Sequence, residues 1–308
     1  MCLQCSENTT QVNCPKCRAL NTAVFPLDAN AGLDQIWSYV MARFKEEWLM
    51  LTVGILLMGA VGAVGGVFTN IVTEVVKAVL GVKLDPIQPW KNLPDFVKVT
   101  GISQFLALFV QLPFQGIALL GMYRLIVDVL HGRKADIGRM FKIMYLLSRY
   151  VILQLLVHVV ITIPLMMMFA LFGFVALRSS GLSLGDFPSN HAVTEFLRSP
   201  APFILVGGSL LFIVITFLVA PITLFAVPEL LVSECQPMEA ITRAWKLGDG
   251  QRLRIFGYSL LSGVIIFVGF LACCVGAIPA SGAAYMLLIC LFMVIRKGHA
   301  DLPPVLDK

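Results

Sequence analysis

Charged side chains are scarce in this sequence. Only 13% of its 308 residues are Asp, Glu, Lys or Arg, which is about half the share of about 25% that soluble domains carry. Apolar residues make up 58%, and they gather in long runs that no charged residue interrupts. Because these runs are longer than the core helices of soluble domains need, the sequence excludes a purely water-soluble protein. Lipid is the expected solvent for most of the chain.

Uncharged runs mark the expected membrane-spanning segments, since a bilayer core needs about 20 apolar helical residues. Four runs each fit one span: residues 48–73, 99–123, 150–177 and 199–228. A fifth run, 255–295, is about twice as long as one helix requires, so we expect two helices joined by a turn. Gly276, Pro279 and Gly282 mark that turn. The last segment, 281–295, is short enough to leave a re-entrant hairpin open as an alternative.

Lysine and arginine concentrate on one side of the predicted membrane. Cytoplasmic loops are enriched in these residues, and six spans divide the 23 of them into 17 on one side and 6 on the other. Both termini fall on the richer side. The first 47 residues lack the basic start, apolar stretch and cleavage site of a secretory signal peptide. The sequence therefore predicts a multi-pass protein of the bacterial inner (plasma) membrane with both termini in the cytoplasm.

The N-terminal tail contains the most specific chemical motif. Its cysteines are spaced C-x2-C-x8-C-x2-C, and they are Cys2, Cys5, Cys14 and Cys17. Two such pairs suit tetrahedral coordination of Zn²⁺ by four thiolates, and the pattern resembles the short zinc ribbons at the ends of many bacterial membrane proteins. Disulfides are the alternative, which a reducing cytoplasm disfavours. Because four thiolates leave no open coordination position, the expected zinc is structural rather than catalytic.

Nucleic acid is not an expected partner of this tail. Residues 1–47 carry four basic residues against five acidic ones, whereas phosphate binding needs a surplus of positive charge. The expected partners are the lipid bilayer and a protein at the cytoplasmic face, and stabilisation of the tail alone is the plainer alternative. Formation of an oligomer stays open. The other four cysteines are expected to act as small apolar residues: Cys235, Cys273, Cys274 and Cys290.

Three similar segments precede the first, third and fifth spans. Each has apolar residues at helical spacing and a motif of a basic residue, one or two apolar residues including an aromatic one, and Lys. The motifs are Arg43-Phe44-Lys45, Arg139-Met140-Phe141-Lys142 and Arg243-Ala244-Trp245-Lys246. Gly248 is placed to end the third helix. We interpret them as three repeats, each a surface helix followed by a transmembrane hairpin; the simpler interpretation is that any such protein carries basic amphipathic helices at this interface.

A family resemblance is carried mainly by the third repeat. Its residues are Pro228-Glu229, Glu239-Ala240, Arg243-Ala244-Trp245, Leu247 and Arg254-Ile255-Phe256-Gly257. Over residues 33–298 the chain resembles the membrane domain attached to some glycerophosphoryl diester phosphodiesterases and related uncharacterised bacterial membrane families. The resemblance implies a six-helix inner-membrane protein without phosphodiesterase activity, because in that family a separate soluble barrel carries the chemistry. It supplies no catalytic positions.

The expected organisation has four parts. A zinc-ribbon-like tail covers residues 1–20, a linker 21–32, the transmembrane domain 33–298 and a cytoplasmic tail 299–308. The fold class is an all-α integral membrane protein. Its six transmembrane helices form three hairpins, each preceded by a cytoplasmic amphipathic helix, and the small zinc ribbon lies at the N-terminus.

Few polar residues fall inside the spans. We find no pair of carboxylates, no H-E-x-x-H motif and no plausible Ser, His and Asp constellation, so no enzyme is expected. The candidate intramembrane polar site has four members: Gln111, Gln115, Gln154 and His158. Hydrogen bonds between packed helices are the plain interpretation of these side chains, and a polar transport path is the functional one.

Three charged residues occupy comparable places near the cytoplasmic ends of the predicted hairpins: Arg124, Glu229 and Arg296. We expect Glu229 to neutralise Arg124 or Arg296 across the bundle. Arg124 could instead pair with Asp128, one helical turn further along.

The expected function is that of a non-enzymatic inner-membrane protein, a docking, assembly or lipid-organising component that uses its zinc ribbon and interfacial helices. A transporter or lipid-handling channel with a polar site in the bundle is the alternative. The transporter or channel is disfavoured because an ion or proton relay needs buried carboxylates, which the predicted spans lack.

Overall fold

The computed structural model describes residues 25–81, 93–181, 194, 196–272 and 276–299. Every regular element within these residues is helical. Six helices are long and apolar enough to cross a membrane, which confirms the expectation of an all-α, multi-pass membrane protein. The four-cysteine tail lies outside the described residues.

Within the described residues nine α-helices follow one another, and two short segments of other helical types connect three of them. The α-helices are α1 Leu33–Leu80, α2 Leu93–Leu130, α3 Ile137–Met140, α4 Leu147–Val157, α5 Ile163–Ser179, α6 Ala201–Ser233, α7 Pro237–Leu247, α8 Arg252–Ala272 and α9 Ala277–Lys297. A 3₁₀ segment, Phe141–Leu146, joins α3 to α4, and a π-helical turn, His158–Thr162, joins α4 to α5. The chain from Ile137 to Ser179 thereby forms one continuous candidate span.

The three expected surface helices differ in how they meet their spans. The first forms the beginning of α1 and continues into its span, with non-helical backbone angles at Glu47. It continues because residues 33–53 contain no Gly or Pro to end a helix. The second begins where the Asp136 carboxylate accepts a hydrogen bond from the Gly138 amide at 2.9 Å. The third, α7, is separate, with Pro237 in its first turn and Gly248 as its C-cap as predicted.

The predicted turn in the last long run is partly wrong. Helix α9 begins at Ala277, so Gly276 lies at the break whereas Pro279 and Gly282 lie inside the helix. Pro279 is tolerated because it sits in the first turn, where a missing N–H breaks no helical hydrogen bond. With 21 residues, α9 is long enough to cross a membrane, which favours a full sixth span over a re-entrant arm.

The chain forms two compact units. The first contains Met1–Ala63, Pro113–Leu153 and Ala220–Lys308, and the second contains Val64–Leu112 and Gln154–Val219. In the first unit α9 is the central helix, because every residue from Ile289 to Arg296 is buried. In the second unit α5 leaves most of its apolar side chains exposed, as expected for a helix that faces lipid.

Helix contacts in both units fit the predicted antiparallel pairs. In the first unit, Gly54 of α1 lies against Leu125 of α2, and α8 packs along α9. In the second unit, Phe172 of α5 lies against Gly208 of α6. The arrangement of all six spans as three hairpins stays a prediction.

Gly269 sets the close approach of α8 and α9, and it yields a stability prediction. A Cβ atom at this position would lie 2.4 Å from the Cβ of Ala280 and 2.8 Å from the carbonyl oxygen of Gly276. Gly269→Ala should therefore lower the thermal midpoint of the detergent-purified protein, through an overpacking cost of roughly 1–3 kcal/mol. Gly263→Ala is the matched control, since its Cβ would meet open space. Equal midpoints for the two variants would contradict this packing.

Candidate functional site

Glu229 is a fully buried carboxylate near the end of α6. Its Oε2 accepts a hydrogen bond from Nε of Arg296 in α9 at 2.8 Å, and its Oε1 lies 3.3 Å from Nη1 of Arg243 in α7. Ser233 donates its hydroxyl to Oε1 at 2.5 Å. The same hydroxyl oxygen accepts from Nη2 of Arg296 at 2.9 Å. One carboxylate therefore joins three helices through charged hydrogen bonds.

The groups around Glu229 are held in definite protonation states. Burial lowers the pKa of Arg243, but hydrogen bonds with Glu229 and Glu239 raise it, and the net pKa is raised. Burial, reinforced by Glu229, raises the pKa of Cys235 to about 11. At neutral pH, Arg243 is therefore a cation and Cys235 is a neutral thiol, which agrees with the expectation that Cys235 acts as a small apolar residue.

Asp128 is the second buried carboxylate, with 2% of its side chain exposed near the end of α2. Three guanidinium groups surround it. Nε of Arg124 lies 3.6 Å away, Nη1 of Arg133 lies 3.3 Å away and Nη1 of Arg139 lies 3.5 Å away. This cluster ties the end of α2 to the start of α3, and the three named cations outnumber the carboxylate that they share.

The two carboxylates make similar contacts in the second and third repeats, although Asp128 precedes its motif arginine by 11 residues and Glu229 precedes its own by 14. Each lies at the end of a span and pairs with the arginine of the motif that follows, Asp128 with Arg139 and Glu229 with Arg243. In the first repeat the motif arginine, Arg43, instead pairs with an exposed residue of its own helix, Glu46. The repeat predicted from sequence thus recurs as a shared contact in two of its three copies.

Three further side chains bind backbone carbonyls at long range in the first unit. Tyr39 donates to the carbonyl oxygen of Leu130, Arg149 to that of Glu234 and Arg254 to that of Ala31. Each acceptor lies a few residues before the start of α1, α3 or α7. Two of the donors carry a signal in the sequence, since Arg149 and Arg254 both follow a repeat motif at the start of a span.

Glu234 shows how firmly these contacts fix the chain. Its backbone has a φ angle of 48°, a left-handed conformation that residues other than Gly rarely adopt. Arg149 holds its carbonyl group, and Tyr145 donates a hydrogen bond to its carboxylate at 2.7 Å. The strained residue thus sits between α6 and α7 with its position set by the second repeat.

The sequence predicted partners for both Glu229 and Arg124, and the structure shows one of the predicted contacts for each residue. Glu229 contacts Arg296, one of its two expected partners. Arg124 contacts Asp128, as in the alternative. Pairing of Arg124 with Glu229 itself stays a prediction.

The four members of the candidate polar site lie in different surroundings. Gln111, Gln154 and His158 are half-buried, whereas Gln115 is exposed. His158 Nδ1 lies 2.7 Å from the carbonyl oxygen of Gln154, one turn earlier in the same chain segment. That contact belongs to packing within a helix, so a common site formed by all four stays a prediction.

The π-helical turn that begins at His158 has a local cause. Pro164 follows it, and a proline lacks the N–H that would bond the carbonyl group four residues earlier. Residues 158–162 accommodate this by hydrogen bonds of wider spacing.

The zinc ligands Cys2, Cys5, Cys14 and Cys17 lie outside the described residues, so the metal site stays a prediction. Across residues 25–81, 93–181, 194, 196–272 and 276–299, no group of three or more His, Cys, Asp or Glu is arranged to hold a metal ion. Cys235 and Cys290 are buried free thiols. Cys273 and Cys274 also lie outside the description.

Comparison with known proteins finds no matching family model, no similar curated protein and no similar solved structure. The resemblance to the membrane domain of glycerophosphoryl diester phosphodiesterases therefore stays a prediction based on the sequence.

Removal of the Glu229 charge should destabilise the protein markedly. Glu229→Gln would leave Arg296 and Arg243 near an uncharged amide, and breaking a buried pair in this way costs roughly 3–5 kcal/mol. We expect a lower thermal midpoint and lower yield from the membrane. Glu46→Gln removes an exposed pair with Arg43 and should cost less than about 1 kcal/mol. A Glu229→Gln variant as stable as Glu46→Gln would refute the assignment of Glu229 as the residue that joins α6, α7 and α9.

Proposed function

We propose that this chain is a non-enzymatic inner-membrane protein that presents a rigid cytoplasmic layer for docking, assembly or lipid organisation. The observation that carries the proposal is the pair of buried carboxylates, Asp128 and Glu229, which fix the segments between spans to the ends of those spans. A segment fixed on one face can hold its other face in a constant geometry for a partner.

Helix α7 illustrates this division into two faces. Pro237, Ala240, Ala244 and Leu247 are buried, while Met238 remains 67% exposed. Trp245 on the exposed side stacks with the Arg252 guanidinium, which lies 4.2 Å from the ring centre. Large apolar residues exposed beside charged ones are typical of surfaces that bind protein or the membrane interface.

The first unit supports a scaffold rather than a conduit. Its central helix, α9, is enclosed by apolar contacts such as that of Phe292 with Phe225, whose ring centres lie 5.4 Å apart. Two of its buried charges, Glu229 and Arg296, neutralise one another at the end of the span. An ion path would instead place ionisable groups along the middle of the bundle.

In this proposal the N-terminal tail binds structural Zn²⁺ through its four cysteines and contributes to the same docking surface. Because the tail is too short to bury a core of its own, metal binding would supply most of its folding free energy. A protein partner is favoured over nucleic acid because the tail and first surface helix have no surplus of positive charge.

The zinc and docking proposals make one joint prediction. Purified protein should contain about one zinc ion per chain, and Cys14→Ser with Cys17→Ser should lose both the zinc and the neighbours recovered by crosslinking in native membranes. Cys235→Ala is the control, since that buried free thiol is not part of the tail motif. The thermal midpoint of the membrane part should stay unchanged in both. Absence of zinc from the wild type, or unchanged crosslinks without zinc, would contradict the proposal.

A transporter or lipid-handling channel is the second candidate, and the half-buried His158 at a π-helical turn favours it, since such turns are frequent at functional sites. Gln115→Leu with His158→Leu separates the two. The docking proposal predicts unchanged cellular function at unchanged abundance. Loss of function with normal folding and normal crosslinks would favour a polar path.

A further inference from the structure

Positive charge is concentrated in one of the three interfacial segments. Residues 124–149 contain six Lys or Arg against two acidic residues. The corresponding residues 229–254 contain four of each sign, and residues 28–47 contain two basic and four acidic residues. All three segments lie on the same predicted side of the membrane. Contacts with Asp128 or with the Glu234 carbonyl group account for four of the six cations, so Lys134 and Lys142 are the two whose charge needs another explanation.

The basic segment lies at the ends of two candidate spans, where lipid headgroups are expected. It joins the end of the span Gly101–Leu130 to the beginning of the span Ile137–Ser179. Lys134 and Lys142 are exposed, and Arg139 is 41% exposed while it also contacts Asp128. These cations are therefore placed where phosphate groups of a bilayer occur.

A shallow apolar groove begins beside the same cations. Its lining includes Ile117 and Leu120 of α2 and Ile143, Met144 and Leu147 of the facing segment, all in the first unit. Two glycines of α2 bring the two sides together. A Cβ atom on Gly116 would lie 2.6 Å from Tyr150, and one on Gly121 would lie 3.1 Å from the Cβ of Met140.

The groove and the cations adjoin in the sequence and in space. Met140 lines the groove and follows Arg139 directly, while Gly121 lies one helical turn before Arg124. Phe141 and Tyr145 are 47% and 61% exposed next to it. The arrangement thus places positive charge at one end of an apolar surface, which matches the two parts of a phospholipid.

We propose that residues 124–149 bind an anionic phospholipid, with its phosphate held by Lys134, Lys142 and Arg139 and its acyl chain lying over the groove, against the exposed side chains of Phe141 and Met144. Guanidinium and ammonium groups give charged hydrogen bonds to phosphate oxygens. The site deepens the lipid-organising part of the proposed function and rests on its placement of this face at the membrane surface.

The test compares two double variants that change the net charge equally. Lys134→Gln with Lys142→Gln alters the proposed site. Lys45→Gln with Lys246→Gln alters exposed lysines in the other two segments. The full-length protein, purified in detergent, is titrated with phosphatidylglycerol and, separately, with phosphatidylcholine, and bound lipid is counted by native mass spectrometry.

We expect the wild type to bind phosphatidylglycerol in preference to phosphatidylcholine. The site variant should bind phosphatidylglycerol roughly 30-fold more weakly, given the usual contribution of each basic residue near an anionic membrane. The control variant should stay within about threefold of the wild type, and both should keep the wild-type thermal midpoint. Equal losses in the two variants, or no preference for the anionic lipid, would overturn the proposal.

A free phosphate is distinguished from a lipid by competition. Inorganic phosphate at millimolar concentration should leave phosphatidylglycerol bound, because it cannot occupy the groove; full displacement would also overturn the proposal. Recovery of crosslinked proteins is measured on the same variants. Loss of lipid with intact crosslinks leaves the docking function standing, and loss of crosslinks upon Cys14 and Cys17 substitution alone leaves the lipid site standing.

Discussion

A carboxylate removed from water must be paired with a cation, and this requirement governs the ends of the spans that carry Asp128 and Glu229. The cost of an unpaired buried charge is several kcal/mol, more than most single contacts can offset. Glu229 meets the requirement through Arg296 and Arg243, and Asp128 meets it through arginines of its own segment. Because these partners come from different helices and loops, satisfying each charge also fixes where the following segment lies.

The functional proposals depend on this fixation. A loop that moved freely would not keep Lys134 and Lys142 beside the groove, nor the outward face of α7 in one orientation. The pairing of Asp128 with Arg139 and of Glu229 with Arg243 supplies that order at the boundary between lipid and water. Within lipid the demands are simpler, since helices satisfy their own backbone groups and apolar side chains suffice elsewhere.

Asp128 and Glu229 serve one structural role in two of the predicted repeats, while the net charge of the repeats differs. Two copies place an acid at the end of a span and bind it to the next motif, while the first copy runs straight into its span and uses the exposed pair Arg43–Glu46. The second and third segments have the same predicted topology but differ in net charge: the second is basic and the third is neutral.

The sequence by itself determined six helices long enough to span, the helical fold class and the cap at Gly248, because long apolar runs and cap residues act over a few residues. It also predicted one contact each of Glu229 and Arg124, with Arg296 and Asp128, from their places near the ends of spans. Only the tertiary structure decided that Arg243 would join Glu229, that Arg149 would bind the Glu234 carbonyl and that Gly116 would form one side of a groove. It also moved the last turn away from Pro279, which the first turn of α9 accommodates. These outcomes depend on which helix ends pack together, and such long-range packing leaves no fixed spacing in the sequence to read.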